Sequence, residues 1–358
     1  MIVLALLLCV LGLAAGFLLI GRIPTCPHAE PVAAINLSII IPARNEEQNL
    51  PHLLESIIHS ASRPAEVLVV DDGSTDKSAA VAASLGARVL TSAGKPAGWT
   101  GKSWACYQGA KNATGQLLLF LDADTYFLPG GLDRVISSWL YERDQRFVLS
   151  FLPYHEMHGT YEQLSVFFNI LMAAGAGGFG VVTTPRLFGQ SLLISKEAYF
   201  AAGGHAAVRG VVLENLRWAS ALRESGNRIL CLGGQGTLHM RMFPEGFRQM
   251  SESWAKAFTQ GAADSGSIVL ILAIAWISAL WSTSLLLILP PTGGRLSSAL
   301  EYLLFSLQIT WLASRLGNYR ILTCLLFPFP LAYYCLVFGR TSARRALGLK
   351  AVWRGREV

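Results

Sequence analysis

Asp122 and Asp124 stand one residue apart just past the apolar run Leu117–Leu121, in the stretch LLLFLDADT. Five apolar residues in a row fit a strand buried on both faces. If the backbone stays extended beyond it, carboxylates at i and i+2 point the same way. They then converge on one small volume at the end of a sheet, where open α/β sheets bind ligands. Like charges that close require a cation between them, and carboxylate oxygens suit Mg2+ or Mn2+ better than softer metals. A diphosphate is the usual further ligand of such an ion. By itself Asp-x-Asp is equally an ordinary acidic pair in a surface turn, so the rest of the chain has to decide.

The elements that must position this pair alternate. Leu37–Ile41 (LSIII) reads as a buried strand, and ARNEEQNLPHLLESIIHS after it carries apolar residues at helical spacing. Glu66–Val70 (EVLVV) is a second strand that ends in Asp71-Asp72-Gly73-Ser74-Thr75-Asp76. A helix is expected from about Asp76, capped by the Ser/Thr/Asp cluster and stopped near Gly86. ARVLT is a third strand, and the loop GKPAGWTG leads into a helix from Lys102 to about Ala113, immediately before LLLFLDADT. Strands alternating with helices imply a parallel α/β sheet.

The composition, 52% hydrophobic and only 15% charged over 358 residues, is too apolar for an ordinary soluble enzyme. The excess lies in a few runs, which implies a membrane protein with a soluble part. Ile2–Ile20 is uncharged and 19 residues long, enough to cross a bilayer. No Lys or Arg precedes it and Arg22 follows it, so the expectation is an anchor with the next domain in the cytoplasm; a cleaved signal is the alternative. Leu164–Val182 is uncharged too, and is expected to dip at the membrane surface or lie buried in the domain. Its Gly175-x-Gly177-x-x-Gly180 matches a dinucleotide fingerprint by letter, but no strand precedes it and no helix pattern follows. Phe247, Met250, Trp254 and Phe258 recur at helical spacing, as in an interfacial helix or one packed on the domain core.

Ile268–Pro290 reads as a transmembrane helix, Ala299–Ser314 is shorter and carries Glu301 and Gln308, and Ile321–Phe338 contains Pro328 and Pro330. If all three crossed, the basic tail with Arg340, Arg344, Arg345, Lys350, Arg354 and Arg356 would end outside, against the positive-inside rule. Either one of the last two does not cross fully or the first orientation is reversed. That tail supplies much of the net charge of +6, and it suits anionic lipid headgroups more simply than nucleic acid. The six cysteines are scattered without a CxxC pair, which implies neither a zinc site nor a disulfide framework. His155 and His158 in HEMH lack the spacing of a zinc-protease helix.

IPARNEEQNL, VVDDGSTDKS, GWTGKSWACYQGA, LDADT, GGHAAVRG and the ending VWRGREV together resemble family 2 glycosyltransferases of the membrane-anchored kind, over about Leu37–Ala263. Within that family the chain is most similar to the branch with carotenoid-, hopanoid- and ceramide-type transferases. The resemblance implies a GT-A fold (α/β, Rossmann-like), a UDP- or GDP-sugar donor, Mg2+ or Mn2+, and inversion at the anomeric carbon. Together with the apolar runs and the charge pattern, the expected organisation is anchor 1–22, catalytic domain 34–240, interfacial helix 244–263, membrane region 266–340 and cytoplasmic tail 341–358. The protein is then expected in the cell (inner) membrane, multi-pass, with its catalytic domain cytoplasmic.

Asp72 resembles the carboxylate that accepts hydrogen bonds from the donor's base or ribose, a helix N-cap being the alternative. Pro42, Arg44 and Glu46 end the first strand where the same nucleotide would lie, and Arg44 could reach a phosphate. Lys102, at a helix start, is placed to neutralise diphosphate charge unless it is simply solvated. Asp122 and Asp124 become the donor and metal carboxylates. Inversion needs a base, and the family uses an acidic pair after the GGH segment. Here the motif reads Leu213-Glu214-Asn215-Leu216, and Asn215 cannot act as a base. Glu214 is left to take the proton or to position the acceptor. Gln190, His205 and Trp254 are expected toward the acceptor, His205 having a structural role as its alternative. The Gln-x-x-Arg-Trp motif of processive members is absent, which favours a single transfer to a lipid at the membrane. Rival readings are transfer to polyprenyl phosphate and a non-catalytic relative that binds nucleotide sugar.

Overall fold

The computed structural model describes residues 2–27, 35–142, 146–176, 178–181, 185–209, 214–261, 266–290, 294–347, 352–353 and 356–357. Its helices are α1 (Ile2–Leu19), α2 (Leu50–Ile58), α3 (Ser78–Ser84), α4 (Gly101–Asn112), α5 (Gly131–Tyr141), α6 (Val166–Gly175), α7 (Lys196–Ala201), α8 (Glu214–Glu224), α9 (Phe247–Gly261), α10 (Ser267–Ile288), α11 (Arg295–Leu316), α12 (Ile321–Leu325) and α13 (Pro328–Ala346). Its strands are β1 (Ile35–Ala43), β2 (Pro64–Asp71), β3 (Arg88–Thr91), β4 (Leu117–Leu121), β5 (Thr125–Phe127), β6 (Phe147–Leu152), β7 (Tyr154–His155), β8 (Ser191–Ser195), β9 (Arg228–Gly233), β10 (Leu238–Met240), β11 (Val352–Trp353) and β12 (Arg356–Glu357). They fall into a sheet unit (Pro24–Tyr154 and Pro185–Arg241) and a helical unit (Met1–Ile23, His155–Thr184 and Met242–Val358).

In the sheet unit seven strands run in the order β3-β2-β1-β4-β8-β6-β9. Strands β1 to β4 are parallel, as their alternation with helices requires. β8 is antiparallel to both β4 and β6, and β6 is parallel to β9. Ile39, Ile40 and Ile41 of the interior strand β1 are wholly buried because helices cover both faces. The apolar stripe of α2 (Leu50, Leu53, Leu54, Ile57) packs into that core. α4 comes equally close on the strength of Gly109, where a Cβ would stand 2.4 Å from Ile40 Cγ2. Thr100 Oγ1 caps α4 by accepting from Ser103 N at 3.2 Å. The helix expected from about Asp76 starts at Ser78, and Gly86 ends it with φ +79°.

The helical unit is organised around α1, α10 and α11. Gly12 and Gly16 of α1 let the helices touch: a Cβ on Gly12 would lie 2.2 Å from Ala279 Cβ, and one on Gly16 2.7 Å from Trp276 Nε1. Trp276 Nε1 donates to Gln308 Oε1 at 2.9 Å, and Gln308 Nε2 donates to the Leu13 carbonyl at 2.7 Å, so one side chain ties three helices together. Among the described residues α10 alone is long and apolar enough to cross a membrane; Leu6–Leu19 of α1 is apolar but shorter. The expected Ala299–Ser314 segment is part of the longer α11, and the expected Ile321–Phe338 segment is broken at Pro328 into α12 and α13.

Leu164–Val182 holds, among its described residues, no helix long enough to cross a membrane. Its helical part is the ten-residue α6, with Phe167, Phe168, Asn169 and Ile170 buried. Gly180, from the glycine fingerprint, instead abuts the end of α1, where Val181 N donates to the Leu18 carbonyl at 2.9 Å. In α9, Met250 and Trp254 are buried, and Trp254 stacks on Phe168 at 4.8 Å. Of the two readings of this stripe, packing on protein fits Met250 and Trp254, while Phe247 is exposed and the Phe258 side chain lies outside the described residues.

Candidate active site

Three strands end side by side in the sheet unit. Ala43 of β1 pairs with Asp71 of β2, and Leu37–Ile40 of β1 pairs with Leu117–Phe120 of β4. Whatever follows these strands meets at one sheet edge. The loop after β1 is stitched to the loop after β2. Asn45 N donates to Ser74 Oγ at 2.9 Å, Glu46 N to Ser78 Oγ at 2.7 Å, and Thr75 N to Asn45 Oδ1 at 2.8 Å. Asn45 itself is left-handed, with φ 58°, a conformation its short polar side chain tolerates. Asp76 Oδ1 also accepts from Ser78 N at 2.9 Å at the start of α3, whose N-cap position is Lys77 without a side-chain cap bond. The left-handed Asn45 and these cross-loop bonds carry no local sequence signal beyond DDGSTD, which reads only as a cap.

Past β4 the backbone does not stay extended. Asp122 to Thr125 form a turn in which Thr125 N donates to the Asp122 carbonyl at 3.1 Å and Thr125 Oγ1 donates to it at 2.7 Å. Both carboxylates still line one cavity, now because the turn curls around it rather than because alternate residues share a face. Lys102, in the first turn of α4, places Nζ 2.6 Å from Asp122 Oδ1 and 2.9 Å from the Gly189 carbonyl. Gly101, the residue before it, leaves room for a carboxylate: a Cβ there would stand 2.2 Å from Asp72 Oδ2, which would have to turn away.

The cavity has a volume of about 340 Å³ and is lined by Pro42, Arg44, Glu46, Asp72, Lys102, Asp122 and Asp124 among others. All the residues expected toward donor and metal therefore share it. Burial, with the charges of Asp122 and Glu46 beside it, pushes the Asp124 carboxyl up to about 7 against the pull of Lys102. Lys102 responds in the opposite sense: burial works against its charge, but the Asp122 carboxylate outweighs that and holds its pKa above the ordinary lysine value. Such a cluster is short of positive charge. Among the described residues no group of three or more His, Cys, Asp or Glu could by itself hold a metal. Two carboxylates suffice for Mg2+ or Mn2+, which take one or two from protein and the rest from phosphate oxygens and water. The residues present fit that ion.

The other expected residues lie elsewhere. Gln190 touches the site through its backbone, whose carbonyl accepts from Asp122 N at 3.0 Å. His205 is buried under the sheet edge, with Nδ1 2.9 Å from Tyr199 Oη and its ring 4.5 Å from that of Trp218. Burial, helped by Lys102, pushes its pKa down to about 3, so it stays neutral. It packs the support of Lys102 and is not among the cavity-lining residues. Trp254 belongs to the helical unit, donating from Nε1 to Ser165 Oγ at 3.1 Å. Glu214 opens α8, and its side chain lies outside the described residues, as does that of Asn215.

An open sheet with an acidic cleft at the carboxyl ends of its parallel strands is the arrangement in which α/β proteins bind nucleotides. The model of glycosyl transferase family 2 matches residues 38–217, and the chain belongs to that family. It is 31% identical, over 90% of its own length and 88% of the other's, to 4,4'-diaponeurosporenoate glycosyltransferase of Staphylococcus aureus (strain MRSA252). Among solved structures it is similar in fold to mannosyltransferase PcManGT from Pyrobaculum calidifontis in complex with GDP-Man and Mn2+. That likeness has a TM-score of 0.53 at 17% identity and covers 94% of this chain and 98% of the other. The protein is a nucleotide-sugar glycosyltransferase with a GT-A-like α/β fold.

Proposed function

We propose that the enzyme moves a single sugar, with inversion, from a UDP- or GDP-sugar to a membrane lipid of carotenoid, hopanoid or glycolipid type. The observation that carries this is the one cavity shared by Asp72, Lys102, Asp122 and Asp124. Asp72 accepts hydrogen bonds from the nucleoside, held in place by its backbone bond to Ala43 and by the room that Gly101 leaves. Arg44 and Glu46 border the nucleotide from the β1 side, and Lys102 balances diphosphate charge. Asp122 and Asp124 hold Mg2+ or Mn2+, which when bound stabilises the departing diphosphate as a Lewis acid. A solvated surface turn, the alternative for the acidic pair, does not account for Asp122 and Asp124 lining one cavity with Lys102 Nζ 2.6 Å from Asp122 Oδ1.

The acceptor's nucleophile is the remaining question. A hydroxyl must lose a proton, which falls to Glu214 because Asn215 cannot take it. A carboxylate acceptor arrives already ionised at neutral pH and needs no base. The S. aureus relative is named for a carboxylate, 4,4'-diaponeurosporenoate, and the loss of half the acidic pair agrees with such an acceptor. We place the enzyme in the cell membrane, multi-pass, with the sheet unit cytoplasmic. Support comes from the apolar α10 and from exposed Leu7, Val10 and Leu11 on α1 and Leu303 and Leu307 on α11.

The test is thermal stabilisation of the detergent-purified protein by UDP-glucose and GDP-mannose, each with and without Mn2+. One donor should raise the midpoint in a concentration-dependent and Mn2+-dependent way, and Asp122→Asn should abolish the shift. No shift with any nucleotide sugar plus metal would remove the reading.

A further inference from the structure

The break between α11 and α13 lies in the helical unit, and it resolves where the chain goes after its last long helix. Gly12 faces Ala279 and Phe305 while Gly16 faces Trp276 and Gln308, so α1 runs antiparallel to α10 and parallel to α11. One end of the bundle therefore carries the end of α1, the start of α10 and the end of α11. Arg22 follows α1 there, and Arg315 at the same end lies 5.0 Å over the Trp311 ring, which in turn meets Phe17 of α1 at 5.6 Å.

From that end the chain turns back into the bundle. Gly317–Arg320 is not helical, yet its polar groups are paired. Asn318 N donates to the His155 carbonyl at 3.2 Å, and Asn318 Oδ1 accepts from Met157 N at 2.6 Å. Tyr319 Oη accepts from Asn169 Nδ2 at 2.5 Å, and Arg320 N donates to Gln163 Oε1 at 2.9 Å. Backbone that turns from the headgroup level back among membrane helices has to be satisfied by protein in this way. α12 then descends until Phe327 stacks on Tyr302 at 4.8 Å and the Leu325 carbonyl accepts from Tyr302 Oη at 2.6 Å. Arg295–Glu301 of α11 continue past that level for about two further turns, or about 10 Å. So α12 stops short of the far end.

The reversal is made by Phe327-Pro328-Phe329-Pro330. Both prolines fall in the first turn of α13, where a missing N–H leaves no bond unmade. α13 climbs back past α6 and α9: Tyr334 meets Phe168 at 5.1 Å, and Tyr333 Oη lies 2.8 Å from Ser251 Oγ. α6 itself belongs to the near half, since Phe167 meets Trp276 at 5.7 Å and Asn169 bonds Tyr319. Arg340, Arg344 and Arg345 follow Tyr334 by two to three turns in the same direction. Meanwhile Ile321, Leu322, Leu325, Leu326, Phe329 and Leu336 are exposed along the outer side of the hairpin.

We propose that α12 and the first half of α13 form a re-entrant hairpin that lies in one leaflet and leaves the bilayer by the face it entered. The chain then crosses with α1, α10 and α11 only. Its exposed side takes acyl chains, and Arg340, Arg344 and Arg345 join Arg22, Arg315 and Arg320 at anionic headgroups on one face. Arg295 is left as the single basic residue at the other end of these helices. A half-crossing reconciles the basic tail with the positive-inside rule, which three full crossings after α9 would violate. The inference rests on the membrane reading above.

The test uses the full chain in a Cys335→Ser background, with the other cysteines buried and silent. Single exposed cysteines are introduced as Ser267→Cys, Leu289→Cys and Ser342→Cys, with Leu296→Cys as a second reporter should Leu289→Cys not accumulate. A membrane-impermeant maleimide is applied to spheroplasts and to inverted vesicles. Ser267→Cys and Ser342→Cys should label from the vesicle side only, and Leu289→Cys or Leu296→Cys from the spheroplast side only. Labelling of Ser342→Cys from the same side as Leu289→Cys would overturn the hairpin and leave the membrane reading standing. Extraction of the protein from vesicles by alkaline carbonate would overturn both.

Discussion

At the residue scale the site turns on how its charges are shared. Asp124 is raised above the ordinary aspartate value, so a metal ion must displace a proton from it over part of the neutral range. With that carboxyl near 7, Mn2+ affinity should fall about tenfold between pH 8 and pH 6, as read by calorimetry. Asp124→Asn should remove that pH dependence together with at least about 100-fold of turnover. The sign for stability follows from linkage. A raised carboxyl binds its proton more tightly in the native state, so the metal-free protein loses stability as pH rises from about 4 through 7. A flat thermal midpoint across that window would contradict the shift. Glu214→Gln divides the acceptor classes: transfer to hydroxyl lipids should disappear, while transfer to a carboxylate lipid and donor binding both persist. Loss of carboxylate transfer with donor binding intact would show that Glu214 serves that acceptor as well.

At the scale of elements, the donor cleft depends on two close approaches. Gly101→Ala would drive a Cβ into Asp72 Oδ2, so the Asp72 carboxylate must turn out of its present position. We expect a rise of about tenfold in the donor KM, with little loss of fold, because about 1.4 kcal/mol of displaced hydrogen bonding corresponds to that factor. An unchanged KM would mean that Asp72 does not touch the donor. The stitched loops offer a second probe. Asn45→Ala loses the bond to Thr75 and forces alanine into the left-handed region, a combined cost of about 2 kcal/mol, whereas Asn45→Gly avoids the backbone part. Chemical denaturation should rank wild type above Asn45→Gly above Asn45→Ala.

At the scale of the whole molecule the two units solve different problems. The sheet unit buries apolar strands and leaves its polar chemistry at their ends. The helical unit keeps polar side chains such as Gln308 inside and turns leucines outward, the reverse of a soluble bundle. Gly12→Leu should therefore be severe in detergent, lowering the thermal midpoint by about 5 °C or more, since its neighbour Ala279 cannot withdraw. Donor-induced stabilisation of whatever folded protein remains should persist.

The parallel half of the sheet, the α4 boundary and the grouping of Asp72, Lys102, Asp122 and Asp124 were legible in sequence because each is local. Apolar runs make buried strands, a Ser/Thr/Asp cluster makes a cap, and residues that end adjacent parallel strands must meet. Tertiary structure alone decided the rest. It curled Asp122–Thr125 into a turn, buried His205 against Tyr199 and Trp218, and packed Trp254 of α9 on Phe168 of α6. A solvent-facing, a lipid-facing and a protein-facing apolar stripe read alike in one dimension, and only the packed chain shows which neighbour takes each.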